Sequence, residues 1–458
     1  MKTNYILFIL CFWFLPMQSQ YISVPDEIFE QELITQGIDS NTIIDHQVLT
    51  SDVNTITSLI IQVDFIQDYT GLEAFISLEN LQLGGYGLYD TLNLNSLTNL
   101  KQIFIGASFV TNVDFSQNVT IETIEIGNDY ITSINIDNCL ELNKLIIACP
   151  QITTINLSNN SNLVEFGSFQ NQIVNFNTSQ NSLLEKFTIR ELFGAISPTI
   201  NIDLTNNTNL KYLFIDNVVI PSINLDNNML LDYLLLYNTA LSSINLSNNV
   251  LLKYVNLNYN QLTSLEVSNL TLLEILACGA NNINTLNVNN NPNLIFLNCA
   301  ENNMQSLYVQ NGSNQLLNGT IVIDTFTNPR FLADNNPNLT CIFVDDIANA
   351  TQNWVSKDPN STYVLSELEC NNLNVETFEK NALKIFPNPT SDFLNISLQN
   401  ESLVDSKIEI NNILGELIYS KNIKTENSKI NVENFSKGIY ILSVEKNGTI
   451  LKSKFIVQ

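Results

Sequence analysis

The chain contains one histidine, His46, seven cysteines and 45 Asp plus Glu, so the chemistry open to it is narrow. A serine or cysteine nucleophile activated by imidazole would have to use His46, and no nucleophile signature accompanies that residue. His46 reads instead as a polar residue of the N-terminal region. Zinc needs His or Cys clusters at short spacing, and Cys139 with Cys149 makes none. Asp345 and Asp346, or Asp334 with Asn335 and Asn336, carry calcium-type oxygens, but their spacing matches no defined calcium loop. No glycine-rich phosphate loop appears. The expectation is therefore no catalytic residue, no metal site and no cofactor. Carboxylates are so numerous that a glycosidase-type pair stays open on counting alone.

The residues with most to offer a partner are aromatic. Tyr212, Tyr233 and Tyr254 recur at one constant interval, and the same column reads Lys144, Glu165, Lys186, then the three tyrosines, Ile275 and Phe296. Phe214, Leu235, Tyr237 and Tyr259 lie close by in the same frame. Aromatics exposed in a row about 5 Å apart would make a contiguous patch of the kind that marks partner sites. Tyr212, Tyr233, Tyr254, Phe296, Phe214 and Tyr237 are the candidate ligand-binding residues. The competing account is cross-strand packing that only stiffens a sheet.

The elements that must position this row follow from the same period. Leu210, Leu213 and Ile215 are succeeded at 21-residue intervals by Leu231, Leu234 and Leu236, and by Leu252, Val255 and Leu257. These are positions 1, 4 and 6 of a coil; a second triplet falls at 11, 14 and 16, as in Leu262, Leu265 and Val267. Asparagine recurs at position 9 (Asn260, Asn281, Asn302) and position 19 (Asn228, Asn249, Asn291). Such a period marks a solenoid whose units cannot bury their apolar faces alone. Positions 4 and 6 alternate inward on a short strand, so positions 3 and 5 point outward. Amide side chains at 9 and 19 are expected to use both donors and the carbonyl to satisfy backbone groups where the chain turns. Coils begin at Ile56, Leu78, Leu100, Ile121, Leu142, Leu163, Leu184, Leu210, Leu231, Leu252, Leu273 and Leu294. Stacked at the usual strand spacing they predict a rod on the order of 50 Å long. One coil carries an insertion around Phe193 to Pro198. After Val309 the period degrades, and Leu339, Ile342 and Val344 read as a last, irregular coil. Pro150 at position 9 and Cys139 at position 19 predict local distortion.

Pro25 opens a predicted helix in which Ile28, Phe29, Leu33 and Ile34 form the apolar stripe, ended by Gly37. It is placed to cap the first coil. Lys2 and the apolar run Tyr5 to Leu15 make a secretory signal too short to span a bilayer, with cleavage near Ser19 or Gln20. A lipoprotein reading of Cys11 fails, because Leu10 stands where a small residue is needed. No membrane span is expected in the mature form. Cys278 and Cys299 fall at inward position 6 and read as buried apolar filler. Cys341 and Cys370 bracket the end of the repeats and are expected to bridge, clamping the terminal cap.

The formal net charge is −26 and the pI near 4.2, which excludes nucleic-acid binding. Residues 384–458 hold nine Lys against eight Asp and Glu, so the acidity belongs to the repeats. That acidity reads as a solubility device.

The run Leu252-Lys-Tyr-Val255-Asn-Leu257-Asn-Tyr-Asn260-Gln-Leu262 resembles the bacterial leucine-rich repeat family, over roughly residues 50–345. The opening Val24-Pro-Asp-Glu-Ile-Phe29-Glu resembles the cap of Bacteroidetes-type members. Near the C-terminus, Phe386-Pro387-Asn388-Pro389-Thr390, Leu414-Gly415-Glu416 and Gly438-Ile439-Tyr440, with Lys452 and Lys454, resemble the C-terminal sorting domain of type IX secretion cargo. Short alternating runs such as Leu394-Asn-Ile396-Ser-Leu398, with turns such as Asn447-Gly448, fit a small β-sandwich. This resemblance implies export by the type IX machinery, removal of the domain, and attachment to surface lipopolysaccharide.

The expected fold is mainly β: a leucine-rich-repeat solenoid with a parallel sheet, an N-terminal helical cap and a C-terminal antiparallel β-sandwich. The expected domains are a signal peptide (1–20), N-terminal cap (21–55), solenoid (56–345), C-terminal cap (346–370), linker (371–382) and sorting domain (383–458). The expected function is secreted or outer-membrane surface-displayed, non-catalytic binding of an extracellular protein or glycan. The alternatives are a carbohydrate-active enzyme and a structural surface-layer component.

Overall fold

Alternating apolar residues make short strands, and the constant repeat length sets them side by side. In a computed structural model of the chain, residues 20–87, 92–106, 108–191, 198–323, 325–372, 383–398, 402–425, 429–446 and 449–458 are described. The signal peptide, the core of the insertion after Glu191, most of the expected linker and the Asn447-Gly448 turn lie outside the described residues. The chain divides into two compact units between Ser366 and Glu367.

In the first unit, 13 parallel strands form one sheet from Ser58–Ile61 to Phe331–Leu332. The pairing is in register with the repeat: Tyr212 opposes Tyr233, Tyr233 opposes Tyr254, and Tyr254 opposes Ile275. Leu213, Ile215, Leu234, Leu236, Val255 and Leu257 are fully buried, and the second apolar triplet of each coil closes the core from the other side.

Two asparagine ladders hold the turns, in different ways. At position 9, Asn281 donates to Leu257 O (2.9 Å) and Cys278 O (3.1 Å) while its oxygen accepts from Leu262 N (2.9 Å). At position 19, Asn249 donates both amide hydrogens, to Leu225 O (3.0 Å) and Asn228 O (2.9 Å). Its own oxygen, like those of Asn118, Asn160, Asn181, Asn228 and Asn291, is buried without a partner. The sequence expectation that both ends of every amide are used therefore holds at position 9 and fails at most of position 19. Asn207 is the exception, because Thr178 stands at apolar position 16 and donates its hydroxyl to the Asn207 oxygen (2.8 Å). Neither irregular coil is distorted in the sheet. Cys139 keeps the turn bond to Ile136 O (3.0 Å), and strand Lys144–Ala148, just before Pro150, pairs in register on both sides.

The end of the repeats differs from the sequence reading. Residues after Val309 form an excursion, with a 3-10 turn Asn314–Leu317 and an antiparallel hairpin Thr320–Ile323/Phe326–Pro329. The coil then resumes: Leu297 opposes Phe331, Ala333 is buried, and Asn336 takes the position-9 role by donating to Cys299 O (3.0 Å). Ile342 and Val344 oppose Leu307 and Val309, so they are the second triplet of this coil rather than a new one. Cys341 and Cys370 are joined in a disulfide, as expected.

At the other end, Asp26 caps helix Glu27–Thr35 through the amides of Ile28 and Phe29 (both 2.9 Å), and its second oxygen accepts from Gln67 N (2.7 Å). One carboxylate thus ties the helix to the first coil. Phe29 and Leu33 are buried, whereas Ile28 is exposed, so the apolar stripe is narrower than expected. The second unit has a three-stranded and a four-stranded antiparallel sheet, sharing a core of Leu394, Ile396, Ile408, Ile410, Leu442, Val444 and Phe455.

Replacing Asn249 by Ala removes two buried hydrogen bonds to carbonyls that keep their turn amides, Asn228 N and Leu231 N, and chemical denaturation should show a loss of about 1–3 kcal/mol. Val267 supplies a carbonyl to Asn291 as Thr178 does to Asn207. Val267→Thr should therefore cost less than about 0.5 kcal/mol, where an unpaired buried hydroxyl costs about 1–3 kcal/mol.

Candidate ligand-binding face of the parallel sheet

Positions 3, 5 and 7 of each coil form the outward face of the sheet. The central tyrosines are stacked on one another. Tyr212 and Tyr233 have ring centroids 4.3 Å apart at 15°, and Tyr233 and Tyr254 repeat this at 4.3 Å and 10°. The sheet's strand spacing is what allows this, and each stack contributes about 0.5–1.5 kcal/mol. Stacking covers the ring faces, and the three rings are half-buried. Phe214 lies beside Tyr212, 6.4 Å between centroids. Tyr237 leans against Tyr259 at 5.1 Å and 52°.

Phe296 does not join this open strip. It continues the column in register opposite Ile275, yet it is 5% exposed. The 3-10 turn of the excursion packs beside its strand, and Arg330 Nη1 donates to Ile295 O (3.2 Å) and Leu316 O (3.4 Å). The sequence reading missed this because the excursion has no repeat signature.

N-terminal to the tyrosines the face carries ion pairs: Lys144 with Glu125 (2.7 Å) and Lys186 with Glu165 (3.8 Å). Arg190 opposes Asp216 in register, binds it through Nε at 3.3 Å, and places its guanidinium 5.7 Å from the Phe214 ring centre. Glu191 accepts from Asn171 N (3.2 Å). Burial pushes the Glu191 carboxyl up to about 7, opposed by the Asn171 amide and reinforced by Asp216. Burial likewise pushes Asp216 up to about 6, opposed by Arg190 and the Glu191 amide. One Asp216 oxygen is buried without a partner. The sequence reading named neither Arg190 nor these two carboxyls. Asp216 stands at position 7, outward by the same alternation that was applied to positions 3 and 5.

C-terminal to Tyr254 the side chains become small. Position 5 reads Asn256, Ala277, Asn298 and position 7 reads Asn258, Gly279, Ala300. The face sinks there into a depression of about 150 Å³ lined by Asn258, Tyr259, Gly279, Asn298, Glu301 and Asp334, among others. Position 8 takes the left-handed conformation at Asn217, Asn238, Tyr259, Ala280, Glu301 and Asn335. At Tyr259 this turn carries a 49% exposed ring.

The other sequence candidates serve the fold. His46 donates its amide to buried Glu30 (3.0 Å). Asp345 accepts from Gly312 N (2.8 Å), Asp346 caps helix Ile347–Asn353 through Asn349 N (3.0 Å), and Asp334 accepts from the Ser356 hydroxyl (2.6 Å). Among the described residues, no group of three or more His, Cys, Asp or Glu is placed to hold a metal ion. No helix of the described residues is long and apolar enough to cross a membrane. In the second unit, Asn388 grips the last strand, donating to Lys454 O (3.0 Å) and accepting from Ile456 N (2.9 Å). Pro387 and Pro389 flank it, Gly438 opens strand Gly438–Lys446, and buried Tyr440 donates its hydroxyl to Ser436 O (2.8 Å). Lys452 and Lys454 are exposed.

Residues 384–458 match the secretion system C-terminal sorting domain family. The fold is similar to the functional domain of InlJ from Listeria monocytogenes, a structure described as including a cysteine ladder. That likeness has a TM-score of 0.55 at 17% identity, covering 96% of this chain and 99% of that one. An internalin (inlF) of the same organism gives a TM-score of 0.54 at 18% identity, covering 74% of this chain and 94% of that one. The chain is thus a leucine-rich-repeat solenoid of internalin-like fold that bears a type IX secretion sorting domain. That domain marks it for secretion or attachment to the cell surface. Shorter stretches are similar to two curated enzymes. Ulvan lyase NLR42 of Nonlabens ulvanivorans is 39% identical over 94 residues, 20% of this chain and 17% of that enzyme. Beta-agarase A of Zobellia galactanivorans is 30% identical over 115 residues, 25% of this chain and 20% of that enzyme. The chain spans a fifth or less of the length of these relatives.

The raised Glu191 and Asp216 carboxyls bind protons more tightly in the folded chain than in the unfolded one. They favour folding at low pH, and that contribution is lost as pH rises from about 4 to about 7. Glu191→Gln and Asp216→Asn should each raise the melting temperature at pH 7.5 relative to wild type, with the difference shrinking toward pH 4.5 in thermal melts.

Proposed function

We propose that this chain is a non-catalytic recognition protein of the cell exterior, which holds an extracellular protein or glycan on the aromatic strip of its parallel sheet. The observation that carries this reading is the ordered stack of Tyr212, Tyr233 and Tyr254 on an outward face. Rings fixed by their neighbours lose little freedom on binding, and tyrosine edges with hydroxyls suit mixed apolar and polar partners. A net charge of −26 favours neutral or cationic ones. The 94- and 115-residue stretches shared with the two polysaccharide enzymes are each long enough to contain the sorting domain at 384–458, which fits a common export signal. In this reading residues 1–20 are removed on export, the type IX machinery reads 383–458, and 371–382 is the segment cut. Surface lipopolysaccharide is the anchor where the chain stays attached.

A second reading, a carbohydrate-active enzyme, is favoured by one observation: Glu191 and Asp216 are two sequestered carboxyls with raised affinity for protons beside aromatic residues. Release of new reducing ends from polysaccharides by the purified chain, lost in Glu191→Gln and Asp216→Asn, would establish it in place of the first.

For the first reading, the full chain is tested against immobilised extracellular proteins and oligosaccharides. Changing Tyr212, Tyr233 and Tyr254 together to Ser should weaken whatever the wild type binds by roughly 30-fold or more. The corresponding triple Phe variant keeps the stack and controls for stability. Equal binding by the Ser variant would mean that the strip only stiffens the sheet.

A further inference from the structure

We infer that the depression C-terminal to the tyrosine stack is a subsite for one neutral sugar ring of a glycan, an inference that rests on the binding reading above. Its walls and floor point there by their chemistry.

The asparagines come first. Asn258 Oδ1 accepts from Gly279 N (2.6 Å), and Asn298 Oδ1 accepts from Ala300 N (3.1 Å). These bonds fix which way each amide faces and leave each NH2 group without a protein partner. Asn256, in the same column as Asn298, repeats the arrangement: its oxygen accepts from Asn258 N (3.1 Å). Asn256 is 9% exposed, and its unpartnered nitrogen still reaches the surface. The sheet therefore presents a group of amide donors that the fold does not consume.

Acceptors stand opposite. The Glu301 carboxylate lines the depression and makes no ion pair or side-chain hydrogen bond, and Asp334 lies next to it, one oxygen accepting from the Ser356 hydroxyl and the other from Asn335 Nδ2 (3.2 Å), each with a second lone pair to spare. A surface that needed only to attract a lysine would have acceptors alone, and one for a phosphate or sulfate would have donors without carboxylates. Hydroxyl groups donate and accept at once, so a polyhydroxylated ring is the ligand that uses both sets. Tyr259 supplies an aromatic wall for the C–H side of such a ring, with its ring outside the tyrosine stack and tilted against Tyr237.

Size and charge narrow the choice. Spaces of about 150 Å³ hold a single six-membered ring. Gly279 keeps the floor low: a Cβ there would stand 3.0 Å from Asn298 Oδ1 and 3.3 Å from Asn258 Oδ1, the atoms that orient the amides. Two carboxylates at the rim and an acidic chain repel sulfated or uronate sugars, which leaves neutral hexoses.

The test measures binding of the full chain to immobilised neutral gluco-, galacto- and manno-configured oligosaccharides, and to sulfated or uronate counterparts. Tyr259→Gly removes the wall at a position whose backbone, φ +58°, suits glycine. Glu301→Ala removes the free acceptor. Asn238→Gly, at the same coil position with φ +53° but outside the depression, controls for the backbone change. The expected result is binding of a neutral series, reduced about ten-fold or more by Tyr259→Gly and by Glu301→Ala, unchanged by Asn238→Gly, and weaker for the anionic series. No neutral oligosaccharide bound, a preference for anionic ones, or a protein ligand indifferent to both variants would each overturn the subsite. In the last case the tyrosine Ser variant still weakens that protein, and the wider reading survives. If nothing binds and the Ser variant is silent, both fall.

Discussion

A single coil of this solenoid has no second layer of its own. Its inner triplets face one another across a narrow interior, its single strand needs neighbours on both edges, and its tight turns leave carbonyls pointing at the next coil. Those carbonyls govern the structure. Asparagine donates two hydrogens from one short planar amide, and at most of position 19 it does so while leaving its own oxygen unpaired and buried. The fold tolerates that cost because each amide adds a second hydrogen bond to two carbonyls that already accept one within their own turn. Every coil is held by the one before it, so stability is a property of the stack.

This arrangement leaves the outward columns of the sheet free to vary from coil to coil. Inward positions are apolar along the solenoid, whereas the outward columns pass from ion pairs through stacked tyrosines to small amides and a glycine. The tyrosines act in both roles, because their stacking stabilises neighbouring strands while aligning a surface for contact. The carboxyls of Glu191 and Asp216, where charged and aromatic segments meet, sit in an environment that works against their ionisation. The fold keeps them at a stability cost near neutral pH.

The repeat was legible because leucine at 1, 4 and 6 has one physical meaning at any place in the chain. It gave strand positions, register and inward faces from Ile56 to Val309, and the motifs at Pro387-Asn388-Pro389 and Tyr440 marked the sorting domain. What was not legible depended on contacts between segments without a period. The excursion that buries Phe296, and the resumed coil at Phe331, are invisible to a register count because the hairpin adds residues without adding leucines. Ile28 shows the same limit on a small scale, since an apolar residue near a helix start says little about which side the next layer occupies. The depression near Gly279 went unread for another reason: it is made by the smallness of side chains, and a search for chemistry-bearing residues passes over alanine and glycine.

Cys139, Cys149, Cys278 and Cys299 are all unbonded and fully buried, and burial holds the Cys278 thiol up to about 12. A thiol exchanges only as thiolate. Once the coils have closed, these sulfurs are chemically silent even outside the cell, and the Cys341–Cys370 bridge has no competitor within the repeats. The danger of mispairing is confined to the interval before closure. For an exported solenoid this makes the sequence of events matter: the coils must zip up before an oxidant finds the open chain.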